Sequence, residues 1–157
     1  MNPKSRWRPK LPPPVDPDID ARLTQTLQAL YGLYHTEIDF SLDRVHALLN
    51  TLGDPHLHLP PTVHVAGTNG KGSTIATLRA ICEADAKTVH VMTSPHLICA
   101  TERIRLAGRP ISKQSLLDLL TEVLAVNDGA PITPFEIFTA AGFLAFARTP
   151  ADICLIE

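Results

Sequence analysis

The segment Val63-His64-Val65-Ala66-Gly67-Thr68-Asn69-Gly70-Lys71-Gly72-Ser73 restricts the fold of this chain more than any other stretch. A short apolar run leads into a turn with glycines at 67, 70 and 72, and a helical pattern follows directly. Glycines let the backbone take positive φ and turn several N–H groups inward, which makes a concavity of donors for an oxyanion. Residues Ser73 to Cys82 read as a helix with Ile75, Leu78 and Ile81/Cys82 on one face. Its N-terminus offers unpaired N–H groups and roughly half a positive charge to the same point, and Lys71 adds a full one. The bland alternative is an ordinary strand-to-helix turn with a surface lysine. Strand, glycines, lysine, hydroxyls and helix in this order favour phosphate over that alternative.

The common phosphate-loop spacing, G-x-x-x-x-G-K-[ST], is not met. Val65 stands where the first glycine belongs, and Gly72 separates Lys71 from Ser73. Gly67 to Ser73 is therefore a shorter form of such a P-loop. Around it the pattern predicts a strand at Thr62 to Ala66, a helix at Ser73 to Ala84 and a strand at Thr88 to Met92, one right-handed βαβ unit. Upstream, Ile19, Leu23, Leu27 and Leu30 mark a helix ending near Gly32. A second helix is capped by Ser41, carries Leu42, Val45, Leu48, Leu49 and Leu52 as its apolar stripe, and stops before Gly53. Downstream, Arg103 to Leu106 reads as a short strand turned at Ala107-Gly108-Arg109-Pro110. A helix after Ser112 buries Leu116, Leu119, Leu120, Val123 and Leu124, and a well-buried one runs from about Pro134 to Arg148. Asp152 to Ile156 reads as a buried parallel strand with the carboxylate of Glu157 at its end. Because a native domain rarely ends at the tip of a central strand, the chain reads as a fragment or a truncated gene product.

These elements describe an α/β domain, a parallel sheet flanked by helices, over residues 18–157. Residues 1–17, basic and then proline-rich, are expected to form a mobile tail. A chain of 157 residues with 45% hydrophobic content suits one domain rather than two. The formal charge of -2 gives no general reason to bind nucleic acid, so any phosphate affinity has to be local. Cys82, Cys99 and Cys154 are an odd count without paired spacing, which suggests reduced thiols in the cytoplasm rather than disulfides or a zinc site. The basic start is not followed by an apolar signal core, and no stretch could span a bilayer. His46, His56 and His58 read as solvated or locally bonded, since a metal site would lack its third ligand.

In open α/β sheets, ligands bind outside the carboxyl ends of the strands. Here one strand delivers the Gly67 to Ser73 loop, another Thr93-Ser94-Pro95-His96, and the last Glu157. A phosphate loop, a hydroxyl and a carboxylate around one point meet the needs of a Mg²⁺-nucleotide. Val65 to Ser73, Thr93-Ser94-Pro95-His96-Leu97, Thr101-Glu102-Arg103-Ile104-Arg105, Thr133-Pro134-Phe135-Glu136 and Leu155-Ile156-Glu157 also occur together and in order. In this set the chain resembles the folylpolyglutamate synthase/dihydrofolate synthase family, relatives of the Mur ligases. The likeness runs from about Leu27 to Glu157 and covers the first part of the family's ATPase domain.

The resemblance implies an incomplete Mur-ligase-like ATPase domain with a P-loop-type sheet. It also implies ATP-dependent joining of L-glutamate to dihydropteroate or a folate through an acyl phosphate, with ADP and phosphate released. On it, Thr68, Asn69, Gly70, Lys71, Gly72 and Ser73 would hold the ATP phosphates, with Lys71 catalytic. Ser94 and Glu157 would be Mg²⁺ ligands. Glu37, Ile38, Asp39, Thr133, Pro134, Phe135 and Glu136 would line the pterin side, although Phe135 could equally be a core residue, and Arg103 and Arg105 would face an acidic tail or solvent. The full-length form would be a monomer with small-molecule substrates, and with neither a nucleic-acid nor a membrane partner. Three features depart from the family. Asp85-Ala86-Lys87 replaces a glycine-containing turn, and Ile98-Cys99-Ala100 replaces more polar residues. The glycine-rich continuation after Glu157, a later histidine ligand, a modified lysine and the glutamate-binding C-terminal domain do not occur in this sequence. A non-catalytic nucleotide-binding remnant, or a Mur-type peptide ligase, are the alternative readings.

Overall fold

The structure, a computed structural model, describes residues 17–32 and 41–157. The expected tail therefore lies outside the described residues, apart from Pro17, where the first helix starts. Helices α1 (Pro17–Gly32) and α2 (Asp43–Thr51) precede β1 (Thr62–His64). They are followed by α3 (Lys71–Ala84), β2 (Val89–Met92), β3 (Ile104–Leu106), β4 (Arg109–Pro110), α4 (Lys113–Asn127), α5 (Pro134–Arg148) and β5 (Ile153–Ile156).

The strands form one sheet in the order β1-β5-β2-β3-β4. The last strand therefore enters between the first two. It runs parallel to both, with Val63 opposite Leu155 and Val91 opposite Leu155 from the other side. Beyond β2 the sheet turns antiparallel through the β3–β4 hairpin, which makes it a mixed sheet. That hairpin turns on two residues, Ala107 at φ +48° and Gly108 at φ +79°, the positive pair that suits the twist of a two-residue loop.

Period-2 alternation sorts the strand side chains between two cores. Val89, Val91 and Leu155 face α3, where Ile75 is buried and Leu78 and Cys82 are half-buried. Met92, Cys154 and Ile156 face the larger core built with α1, α2, α4 and α5. On α3, Ile81 is 61% exposed, unlike the inward position expected for it. Cys82 is seven residues from Ile75, nearly two full turns, and takes the inward place instead. Leu42 departs in the same way: at 63% exposed it stands outside the α2 stripe, just before the helix. Ser41 does act at that helix start, accepting the Asp43 N–H at 3.0 Å.

Helix α5 matches its expected bounds, and its glycine has a packing reason. A Cβ added at Gly142 would come within 2.6 Å of Met92 Sδ, so the helix lies close against β2. After α3, Ala86 sits at φ +57°, a left-handed position that glycine occupies at little cost. The turn after α3 thus takes a left-handed residue without a glycine, with Lys87 N–H donating to Cys82 O at 2.9 Å.

His90 ties three elements together. Its ring stacks on Phe146 of α5 at 4.8 Å, its Nε2 bonds Thr149 O at 2.8 Å, and its Nδ1 accepts the Ala107 N–H of the hairpin at 3.0 Å. Since Thr149 O can only accept, the proton belongs on Nε2 and the ring is neutral. Burial pushes its pKa below the ordinary 6.5, partly offset by the Thr149 carbonyl. Above pH 6.5 folded and unfolded rings are both neutral and this group adds no pH dependence. As the pH falls further, the unfolded ring takes a proton before the folded one, so the stability contribution is lost down to the folded pKa. Urea unfolding at pH 7.5 and 5.5 should show the wild type losing more stability on acidification than His90→Gln. Equal losses would contradict this account.

Candidate functional site

The order β1-β5-β2 puts three strand ends side by side, and backbone bonds extend the ladder one residue past each. Val65 N–H donates to Ile156 O at 2.8 Å, Glu157 N–H to Met92 O at 2.9 Å, and Thr93 N–H to Arg103 O at 3.0 Å. Glu157 is thereby held between the glycine-rich loop and the Thr93-Ser94 segment.

Within the loop, Gly67 adopts φ +146° and Gly70 φ +76°. Gly70 is the residue from which α3 departs, and its left-handed conformation turns the chain into the helix. Ser73 Oγ and Thr74 Oγ1 both donate back to Gly70 O, at 3.0 and 2.9 Å. No side chain caps α3, whereas Ser112 caps α4 and Thr133 caps α5. The first-turn N–H groups of α3 therefore face outward, as anion binding at a helix start requires. Thr68, Asn69, Gly70, Gly72 and Ser73 are exposed around that opening. Lys71 is half-buried, and its Nζ lies 3.4 Å from Glu157 Oε1.

Glu157 and Ser94 line one small cavity with Thr93, Arg103, Phe135 and Phe138. It adjoins a groove of about 410 Å³ walled by Tyr31, Ser94, Pro95, Arg103, Thr133, Pro134, Phe135 and Phe138. Phe135 is 56% exposed and belongs to this groove rather than to the core. Beside it, the Arg103 guanidinium stands 4.7 Å from the centre of the Phe138 ring, and its Nε donates to His96 Nδ1 at 2.9 Å. The groove thus combines aromatic rings with a guanidinium, which lies over one of them. A flat aromatic acid fits those surfaces.

The remaining expected pterin-side residues divide. Thr133 and Glu136 form a capping box: Thr133 Oγ1 accepts the Glu136 N–H at 3.2 Å, and Glu136 Oε2 accepts the Thr133 N–H at 2.8 Å. Glu136 is buried and lies 3.5 Å from Arg44 Nε. Its carboxylate is therefore engaged inside the fold, while Thr133 and Pro134 reach the groove through the α5 start. Glu37, Ile38 and Asp39 lie outside the described residues. Arg105 faces away from the groove and donates to Gly108 O at 2.9 Å. Phe138 and Tyr31 also wall the groove, and neither is among the expected site residues; Phe138 does so from the buried core, at 4% exposure. The three-residue step from Phe135 to Phe138 was the available signal for the first. Among the described residues no group of three His, Cys, Asp or Glu could hold a metal ion, and no helix is long and apolar enough to cross a membrane.

No family model matches the chain. It is 36% identical over 155 residues to the dihydrofolate synthase/folylpolyglutamate synthase of Mycobacterium tuberculosis, covering 90% of this chain and 32% of that protein. The Bacillus subtilis protein of the same name is 40% identical over 125 residues, covering 76% of this chain and 29% of its own. Among solved structures, the bifunctional folylpolyglutamate synthase/dihydrofolate synthase of Yersinia pestis, complexed with AMPPNP and Mn ion, is similar with a TM-score of 0.81 at 32% identity. That match covers 91% of this chain and 35% of the other. The chain thus spans about a third of the length of the relatives it matches.

The turn at Gly70 generates a stability test. A methyl group there has room, its nearest neighbour being Ser73 Oγ at 3.9 Å, so the cost of Gly70→Ala is one of backbone conformation. Thermal unfolding should register a loss of about 1–2 kcal/mol. An unchanged midpoint would mean that the loop does not need this left-handed turn.

Proposed function

We propose that this chain, a member of the dihydrofolate synthase/folylpolyglutamate synthase family over the third of its relatives' length that it spans, carries the ATP-phosphate site and the acceptor groove of a carboxylate–amine ligase. The observation that supports it most is the meeting of Lys71, Glu157 and Ser94 at neighbouring strand ends, beside an uncapped helix start. In this reading residues 18–157 are part of an ATP-binding domain.

The reaction is the ATP-dependent joining of L-glutamate to dihydropteroate or a folate. A carboxylate is a poor acyl donor, so its oxygen first takes the γ-phosphoryl group and the glutamate amine then displaces phosphate, leaving an amide. Negative charge builds on phosphoryl oxygens in both steps, and fixed cations and backbone donors stabilise it. In this reading Lys71 and the N–H groups of residues 68–73 supply them. Arg103, Phe135 and Phe138 orient the acceptor so that its carboxyl end is directed toward the cavity at Glu157.

Mg²⁺ fits the donor chemistry present. The Ser94 hydroxyl and the Glu157 carboxylate are hard oxygen donors, the kind Mg²⁺ takes while sharing phosphates and keeping waters. When bound, the ion would neutralise phosphate charge. Lys71 pairs with Glu157 in the structure; with Mg-nucleotide bound, Glu157 and Ser94 would hold the metal and Lys71 the phosphates. A cytoplasmic, monomeric full-length form belongs to the same reading.

Titrating the chain with Mg-ATP in a calorimeter tests the phosphate assignment. Lys71→Ala should weaken binding ten-fold or more, about the loss of one charge-assisted contact. Unchanged affinity would remove the loop from the ATP site. ADP formation that needs both a pteroate acceptor and glutamate would assign ligation to this chain itself. Retained binding without glutamate-dependent turnover would leave it a nucleotide-binding remnant.

A further inference from the structure

The segment 94–103 walls the groove, yet little apolar burial shapes it. Leu97 and Ile98 at its tip are each 91% exposed. Its form has to come from hydrogen bonds, and these converge on one side chain. The N–H groups of Leu97, Ile98 and Cys99 donate to the Glu102 carboxylate at 2.8, 3.0 and 2.8 Å. A carboxylate has about four acceptor sites and no donor, so it can take all three, whereas an amide offers one acceptor oxygen and presents its own N–H groups. These bonds hold the Glu102 carboxyl below the usual carboxylate range.

The arrangement has a direct bearing on the groove. Glu102 is followed by Arg103, whose carbonyl closes the base of the segment through the Thr93 N–H at 3.0 Å. The Arg103 guanidinium then reaches over Phe138 and bonds His96, which lies just before the three N–H groups that Glu102 collects. The direction of the Arg103 side chain therefore depends on how the turn that carries His96 is held. We propose that Glu102 is a positioning residue, acting through this turn to place Arg103 against Phe138 and beside Phe135. It rests on the reading of the groove as the acceptor site.

Two measurements on the whole chain test it. Glu102→Ala and Glu102→Gln should each weaken pteroate binding on the order of ten-fold, because small misplacements of orienting groups are costly, while Mg-ATP affinity is unchanged. Amide exchange at Leu97, Ile98 and Cys99 should be slow in the wild type and fast in Glu102→Ala. Pteroate affinity that survives the loss of protection would overturn the positioning role. So would a parallel fall in nucleotide affinity, the sign of general damage. A wild type that binds no pteroate at all would sink the groove reading instead. The exchange data would then still decide whether the carboxylate holds the turn.

Discussion

The insertion of β5 between β1 and β2 is the constraint on which the other features depend. Those two strands belong to one strand–helix–strand unit, yet they do not touch; the last strand separates them and bonds both. Parallel strands are buried on both faces and need apolar side chains in each direction, which Ile153, Cys154, Leu155 and Ile156 supply. With Cys154 wholly buried, its thiol pKa is pushed up to about 12, so it is a neutral packing group. Once this strand is seated, the place of Glu157 follows from backbone geometry. It has to emerge between the glycine-rich loop and the Thr93-Ser94 segment.

The two helix starts nearest the groove show how local sequence decides between structure and binding. Helix α5 begins with Thr133 and Glu136 closing a capping box, so its N-terminal donors are spent within the fold. Helix α3 begins at a left-handed glycine with no such cap, and the hydroxyls of Ser73 and Thr74 turn back to the Gly70 carbonyl. The second arrangement leaves a positive helix end without a protein partner, beside a lysine. Within one chain, then, the same dipole is satisfied internally at one site and left open at another.

Much of this was legible before any coordinates. The 3.6-residue pattern located α4 and α5, because their apolar residues repeat over four turns and their caps are polar. The apolar run at Ile153 to Ile156 showed a buried strand for the same kind of reason. What could not be read was spatial order. Nothing local in β5 states that it lies between β1 and β2, and the antiparallel pairing of β3 follows from a tertiary choice. Ile81 and Leu42 were misplaced because an apolar side chain at the margin of a helical face carries the same letter whether packed or solvated. At the proposed site, Lys71, Ser94 and Glu157 stood out by residue type, and Phe135 was left open between groove and core. Phe138 belongs to the buried face of α5 and touches the groove as well, which periodicity alone does not reveal. Glu102 gave no signal of its bonds to three N–H groups, because backbone donors are invisible in a sequence.

The contact between Lys71 and Glu157 bears on how the proposed site switches between its partners. Glu157 keeps only 9% of its side-chain exposure and Lys71 28%, so neither charge is fully solvated. Removing one partner of such a pair leaves the other poorly hydrated, which for a fully buried pair costs about 3–5 kcal/mol and here, with Lys71 more than a quarter exposed, less. A ligand that brings both a cation and an anion would avoid that penalty, since in the proposed site the carboxylate would gain the metal as it lost the ammonium. Phosphate alone would draw Lys71 away and strand Glu157; a metal alone would repel the lysine. The pair should therefore favour the metal–nucleotide complex over either component. That preference would follow from placing opposite charges 3.4 Å apart at the mouth of the proposed phosphate loop.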